Sequence, residues 1–300
     1  MKIIFCCDPM DDEVVDTMYI DEVAAATRAG LEYELIDYDA INRQNNAARA
    51  VRDIPVSDEQ ILAVYRGWML STKKYAALYD ALLSRGIQLI NDARHYKHTQ
   101  HLPESLDIIE EKTPRTEWME TDGHVTYDAV MQLLLPFAGR PVIVKDFVKA
   151  EKHYWNQACY ISSSSDEAAV RNTVQRFLEL RGDDFEGGLV FREYMDFEPL
   201  AQGPASGMPL NQEYRIFYLN HQPILTVHYW DIEGDVKIEQ APAADFAEIA
   251  RQVRSRFFTM DVAKSVDGDW LIIELGDAQV ASLPKTADED TFYRALAGAH

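Results

Sequence analysis

The sequence predicts an open α/β layer at its N-terminus followed by an α+β body, and three observations carry that expectation. Apolar runs alternate with helical stretches as far as Asp92, the pattern of β-α-β units. Beyond that point the apolar runs come in pairs joined by short polar turns, as antiparallel strands do. The helical stretches stop at glycines, at Gly30, Gly86 and Gly182, where positive φ ends a helix cheaply.

Taken in order, Lys2 to Cys7 is a continuous apolar run ending at Asp8-Pro9 and reads as a buried strand. A helix is predicted from about Val15 to Ala29, then a second strand from Tyr33 to Tyr38. Ile61 to Tyr65 is the third strand and runs into Arg66-Gly67-Trp68; a helix follows over Thr72 to Ser84, then a strand over Ile87 to Ile90 that ends at Asn91-Asp92. Asp8, Arg66 and Asp92 therefore sit at strand ends, where open α/β sheets hold ligands.

Tyr96 to Glu111 reads as helix, with a short strand near Trp118 and a helix from Tyr127 to about Leu135 closed by Pro136. The strand VIVKDF begins at Pro141, and Cys159 to Ile161 reads as its hairpin partner. Ser165-Asp166 caps a helix to about Leu180 that carries Val170, Val174, Phe177 and Leu178 on one face. LVFREYM is another strand, and EYRIFYLNHQPILTVHYW folds back at Asn220 to Pro223. Gln202 to Pro209, rich in Gly and Pro, is the expected mobile loop. A helix from Asp245 to about Phe257 leads into the last hairpin.

That hairpin carries the first chemical signal. Two apolar runs, Phe257 to Val266 and Asp269 to Leu275, flank Asp267-Gly268, a pair suited to a two-residue turn. If Val266 faces Asp269, Asp261 stands directly opposite Glu274. Facing carboxylates destabilise a ladder, so a cation, a shared proton or a basic side chain is expected between them. Hard oxygen donors without Cys or His favour Mg2+ or Mn2+ over zinc. Gly276 lets the chain turn so that Asp277 swings toward the same ion; a solvated, acid-rich hairpin end is the alternative.

Composition bounds the rest. The 300 residues are 47% hydrophobic, enough for a large core. Fifty acids against 29 bases give a net charge of -21, which argues against nucleic acid as the main partner. Cys6 and Cys7 are adjacent and Cys159 stands alone, so neither a disulfide framework nor a zinc spacing is present, and a reducing cytoplasm is expected. The N-terminal apolar run is too short for a signal peptide, and no stretch is long enough for a membrane span. Oligomeric state leaves no mark in the sequence.

YRGWML at Tyr65 to Leu70, LPESL near Leu102, VIVKDFVKAEKHYWNQACYI at Val142 to Ile161, FREYM, EYRIF and ELGDAQVASLP recur together, in this order, in a known group of enzymes. On those segments the chain resembles the ATP-grasp superfamily, closest to the clade named for an arginine-to-lysine exchange, whose members are predicted amide-forming ligases. The resemblance spans nearly the whole chain. It implies an ATP-grasp fold: an N-terminal open α/β domain over residues 1–95, a central subdomain with the phosphate loop over 96–190, and a C-terminal subdomain with metal carboxylates over 191–300.

The resemblance also implies roles. Lys145 matches the lysine that reaches the α-phosphate and adenine side of ATP, and Lys97 the second lysine. Glu193, Tyr194 and Met195 match the hinge strand that reads adenine, and Glu198 is a candidate for the ribose. Arg215 fits a cation aimed at the transferred phosphoryl or acyl group. Asp261, Glu274 and Asp277 match the metal carboxylates, although family members often carry Asn where Gly276 stands here. The phosphate loop, glycine-rich in the family, is Lys149 to Asn156 here and lacks glycine, so Lys149, Lys152 and His153 are expected to close over the γ-phosphate with side chains.

Arg66 is expected to pair with a substrate carboxylate, the alternative being a structural corner in which it stacks on Trp68. The activity implied is an ATP- and Mg2+-dependent (or Mn2+-dependent) ligase that joins a small-molecule or peptide carboxylate to an amine through an acyl phosphate. A small-molecule kinase and a nucleotide-binding regulatory module are the alternatives. No Gly-x-Ser-x-Gly elbow or other nucleophile motif is present.

Overall fold

The computed structural model describes residues 1–201, 208–230 and 243–299, so most of the expected loop at Gln202 to Pro209 lies outside the described residues. The chain forms two compact units. One comprises Met1–Thr99, Arg215–Met260 and Leu275–His300, and the other Gln100–Tyr214 and Asp261–Glu274.

The first unit opens with β1 (Lys2–Asp8), β2 (Asp11–Val15), β3 (Glu32–Ile36), β4 (Ile61–Arg66) and β5 (Ile87–Leu89). β1 runs parallel to β3 and β4, and β4 parallel to β5, while β2 returns antiparallel on the end of β1. Ile3, Ile4, Phe5, Ala63, Val64 and Tyr65 are fully buried, which is why these strands read as continuous apolar runs. The helix expected from Val15 begins only at Ile20. Asp11–Val15 is drawn into the sheet instead, Asp16 N–H donates to the Cys6 carbonyl at 3.0 Å, and the Asp16 carboxylate caps the following turn through Met18 N–H at 2.9 Å.

The single helix expected over Tyr96 to Glu111 is two, Ala93–Gln100 and Leu102–Ile109. The break falls at His101, which is extended at φ −90° and ψ 110° and caps the second helix, and Pro103, which lacks an N–H, sits in the first turn of that helix, where no N–H is needed.

The second unit is built on β6 (Thr116–Glu120), β7 (Val142–Asp146), β8 (Tyr160–Ile161) and β9 (Gly188–Glu193), in the antiparallel order β6-β9-β7-β8. Helices Tyr127–Leu134 and Glu167–Arg181 supply Val130, Leu134, Val170, Val174 and Phe177 to its core. Asp166 caps the longer helix through the N–H groups of Ala168 and Ala169, at 3.1 and 3.0 Å.

Gly188 is required where β9 meets β6: a Cβ there would lie 2.1 Å from the Met119 carbonyl oxygen. Backbone cannot yield as a flexible side chain does. Gly188→Ala is therefore expected to destabilise the protein by about 2 kcal/mol or more, read as a lower denaturation midpoint; an unchanged midpoint would show that β6 yields.

A two-stranded ribbon follows, β10 (Pro199–Ala201) with β11 (Leu210–Asn211), and then β12 (Glu213–Leu219), β13 (Gln222–His228), β14 (Phe257–Lys264) and β15 (Trp270–Asp277) in the order β13-β12-β14-β15. Asn220 and His221, with φ of 49° and 65°, make the tight turn between β12 and β13. The helix before β14 is shorter than expected, Ala247–Gln252 after a 3-10 turn at Ala243–Phe246.

The last hairpin closes differently from the two-residue turn. Ser265 N–H donates to the Asp269 carbonyl at 2.8 Å, and Gly268 N–H to the Ser265 carbonyl at 2.9 Å, with Gly268 at φ +93°. The loop is therefore three residues, Val266 to Gly268, with a glycine bulge, and Ser265 Oγ accepts the Asp269 N–H at 3.2 Å. The direct opposition of Asp261 and Glu274, which rested on Val266 facing Asp269, loses its basis. The two acids remain on neighbouring strands.

Candidate functional site

The site is best built outward from β7. Along VIVKDF, Lys145 and Asp146 are both buried, two charged groups at the end of an apolar strand. Such groups need partners. Asp146 finds its partners in the following loop: Oδ1 accepts the N–H groups of Val148 and Lys149 at 2.7 and 2.6 Å, and Oδ2 accepts Arg181 Nε at 2.9 Å and Glu186 N–H at 3.3 Å. A carboxylate thus holds the turn that glycines would otherwise shape. Past it, Trp155–Cys159 forms a single π-helical turn, and Trp155 is buried against Tyr160, with ring centroids 5.6 Å apart and planes 16° apart. Between these anchors Lys149 and His153 are exposed and Lys152 is half-buried.

Lys145 finds its partner in β15, where its Nζ lies 3.0 Å from Glu274 Oε2. Burial works to raise the Glu274 carboxyl, but Lys145, Lys152 and Lys149 outweigh it and hold the group down to about 2. Of the partners that the hairpin's acids call for, a basic side chain is the one this structure supplies. Asp261, on β14, is buried at 2% exposure.

Arg192 was absent from the sequence reading. It lies on β9 one residue before Glu193, 3% exposed, and burial lowers its guanidinium to about 10 despite the nearby carboxylates of Glu274 and Glu213. Its signal was a charge at an inward position of the apolar run LVF, the same signal that Asp146 gives in VIVKDF.

The hinge residues occupy the end of β9 and its continuation. Glu193 is paired with Arg140, its N–H donating to the Arg115 carbonyl at 2.8 Å. Tyr194 N–H donates to the Pro141 carbonyl at 2.9 Å, and its ring meets Tyr160 edge-on at 5.1 Å. Met195 lies just past the strand. A cavity of about 500 Å³ is lined by Thr113, Arg115, Thr116, Arg140 and Glu193 among others. Glu198 forms an ion pair with Lys264 at 3.2 Å.

Four of the expected residues fall in the other unit. Lys97 is exposed on the helix Ala93–Gln100, and the Arg215 guanidinium lies 4.8 Å from the centroid of the Tyr229 ring. Arg66 corrects its expectation. It is 1% exposed and bonded to both Glu22 oxygens at 2.8 and 2.9 Å and to the carbonyls of Ala278 and Ala281 at 2.6 and 2.8 Å. It stacks on Phe292 rather than Trp68, at 5.3 Å. A guanidinium so buried and so engaged fits the structural-corner alternative.

Asp277 also departs from its expected role. It is fully buried, Oδ2 accepting Asn91 Nδ2 at 2.7 Å and Oδ1 accepting Gln279 N–H and Nε2 at 3.0 and 3.1 Å. Burial pushes its carboxyl up to about 7, against the pull of those donors. Turned into this network, its carboxylate accepts from protein donors on both oxygens.

Among the described residues no group of three or more His, Cys, Asp or Glu stands where it could hold a metal. Glu274, kept ionised by three lysines, and Asp261, a buried carboxylate on the adjacent strand, nevertheless suit Mg2+. That ion is usually held by one or two carboxylates and completes its shell with water and substrate phosphates. The cysteines are not poised as nucleophiles: burial pushes Cys6 and Cys159 to about 12 and Cys7 to about 11. Nor is any helix among the described residues long and apolar enough to cross a membrane.

Residues 136–296 match the family described as ATP-grasp domain, R2K clade family 3. No curated protein matches the sequence. Among solved structures, the chain is similar to D-cycloserine synthetase DcsG, with a TM-score of 0.61 and 13% identity over 99% of both chains. It is also similar to the ATP-grasp ligase PsnB complexed with a minimal precursor, with a TM-score of 0.58 and 14% identity over 99% of this chain and 98% of that one. A third is the macrocyclase MdnC from Microcystis aeruginosa, bound with precursor peptide MdnA, with a TM-score of 0.56 and 12% identity over 100% of both. At these identities the likeness shows the fold, which is ATP-grasp with a mixed α/β N-terminal sheet and antiparallel α+β parts.

Proposed function

Because the chain belongs to the ATP-grasp domain family, R2K clade family 3, we propose that it is an ATP- and Mg2+-dependent ligase that joins a carboxylate to an amine through an acyl phosphate. The observation that carries this reading is the gathering of Lys145, Lys149 and Lys152 around the ionised Glu274. A polyphosphate needs both features in one place: cations for its oxygens and a hard carboxylate for the accompanying ion.

In the proposed reaction a substrate carboxylate oxygen attacks the γ-phosphorus. The bond from that phosphorus to the β-phosphate oxygen breaks, and ADP leaves. An amine nitrogen then attacks the acyl carbon, phosphate departs, the amine loses a proton, and an amide remains. Mg2+, when held by Glu274 and Asp261, would neutralise phosphate oxygens. Lys145 serves the α-phosphate side, and Lys149, Lys152 and His153 cover the transferred group from a loop whose base Asp146 keeps fixed. Glu193, Tyr194 and Met195 hold adenine, and Glu198 the ribose. Positioning and electrostatics supply such catalysis without a nucleophilic side chain.

The carboxylate and amine belong to small molecules or peptides; the precursor-bound neighbours support including peptides in a screen. Hydroxylamine offered with ATP, Mg2+ and a panel of carboxylates tests the reading. The expected result is a hydroxamate formed in step with ADP. A stable phosphorylated product without hydroxamate would make the protein a kinase, and nucleotide binding without turnover on any acid would make it a regulatory module.

A further inference from the structure

Arg192 is a charge held in the interior by neutral acceptors. Its Nε donates to Thr116 Oγ1 at 3.2 Å, its Nη2 to Thr113 Oγ1 at 2.6 Å, and its Nη1 to the Ile273 carbonyl. Thr113 Oγ1 passes the contact on, donating to the Ile272 carbonyl at 2.7 Å. Two successive carbonyls of β15, immediately before Glu274, are therefore tied to one guanidinium, one of them directly and the other through a threonine.

Stability alone does not account for this arrangement. A buried cation bonded only to neutral oxygens costs desolvation that an apolar side chain of the same volume avoids. Its field does fall on two carboxylates, Glu274 and Glu213. The planar fork also fixes direction, which a lysine at this place would not. Lys145 holds Glu274 by its carboxylate, whereas Arg192 holds the backbone that carries it.

We propose that Arg192 is a positioning residue for Glu274: by clamping Ile272 and Ile273 through its own fork and Thr113, it sets where the Glu274 carboxylate stands and so how well a divalent cation is bound with the nucleotide. The inference rests on the reading of Glu274 as a Mg2+ ligand. It makes Arg192 an outer partner of the kind whose loss weakens metal affinity while leaving the ligand itself in place.

The test is a Mg2+ titration of ADP-induced thermal stabilisation in the full chain, for wild type, Arg192→Lys, Arg192→Met and Thr113→Val. The expected result for both Arg192 variants is a rise of about 10- to 100-fold in the Mg2+ concentration giving half of the metal-dependent shift, with stabilisation by ADP in EDTA unchanged. Thr113→Val, which keeps volume and leaves Arg192 in place, is expected to raise it a few-fold, and it carries the test if the Arg192 variants do not fold. A lower ligand-free Tm with an unmoved Mg2+ half-point would make Arg192 merely structural and overturn the proposal, as would an unmoved half-point in Thr113→Val alone. Wild type lacking any Mg2+-dependent shift would instead overturn the metal reading of Glu274, and the two failures are thereby distinct.

Discussion

Glu274→Gln is expected to abolish the Mg2+-dependent part of stabilisation by ADP. A ligand present at a hundred times its dissociation constant adds about 2.7 kcal/mol to the folded state, which for a chain of this size is a Tm shift of roughly 5 °C or more. Gln keeps the shape of Glu274 but not its charge, so the shift seen in wild type with Mg2+ and ADP should shrink to the value measured in EDTA. A variant that kept the full shift would remove Glu274 from the metal site, and with it the observation on which the ligase reading stands.

The same carboxylate predicts a pH dependence. Lys145, Lys152 and Lys149 overcome the effect of burial and hold Glu274 at about 2, below the ordinary carboxylate value. A depressed carboxyl contributes stability that is fully present above its unfolded value and is lost as pH falls toward the folded one. Stability should thus decline between about pH 4.5 and pH 2, less steeply in Glu274→Gln than in wild type. Equal slopes in the two proteins would show that the lysines do not act on this group.

The second large effect is expected at Arg66. Replacing it by Met removes a fork that meets both oxygens of Glu22, both side chains being buried. Removing one partner of such a buried pair costs about 3–5 kcal/mol, because the other charge is left uncompensated. The Tm should fall by several degrees, while the shift produced by ADP with Mg2+ keeps its wild-type size. Lost turnover with an unchanged Tm would instead assign Arg66 to the substrate.

These expectations differ in how much of each could be read from residues alone. The alternation of apolar runs and helices through Asp92 made the parallel sheet of β1, β3, β4 and β5 legible, because burial on both faces leaves an uninterrupted apolar string. Lys145 was conspicuous as a cation inside VIVKDF. Glu274 stood out through the spacing of the last hairpin and through the resemblance to the ATP-grasp superfamily. The family match over residues 136–296 bears out that resemblance. Arg192 and Asp146 gave the same kind of signal, charge inside an apolar run, and only the structure revealed what each is bonded to.

The last hairpin divides the two sources of information most clearly. Its existence, its strands and its acids follow from the sequence, since Asp267-Gly268 between apolar runs marks a turn by local backbone preference. Its closure does not, because a side-chain bond from Ser265 and a glycine bulge choose a three-residue loop over a two-residue one, and one residue of register changes which acids face each other. What stands beside Glu274 was likewise decided by tertiary structure: Lys145 reaches it from 129 positions away in the chain. Arg66 and Asp277 turned inward for the same reason. A charged residue's type announces that it needs a partner, but only the packed chain determines whether that partner comes from the protein or from a ligand.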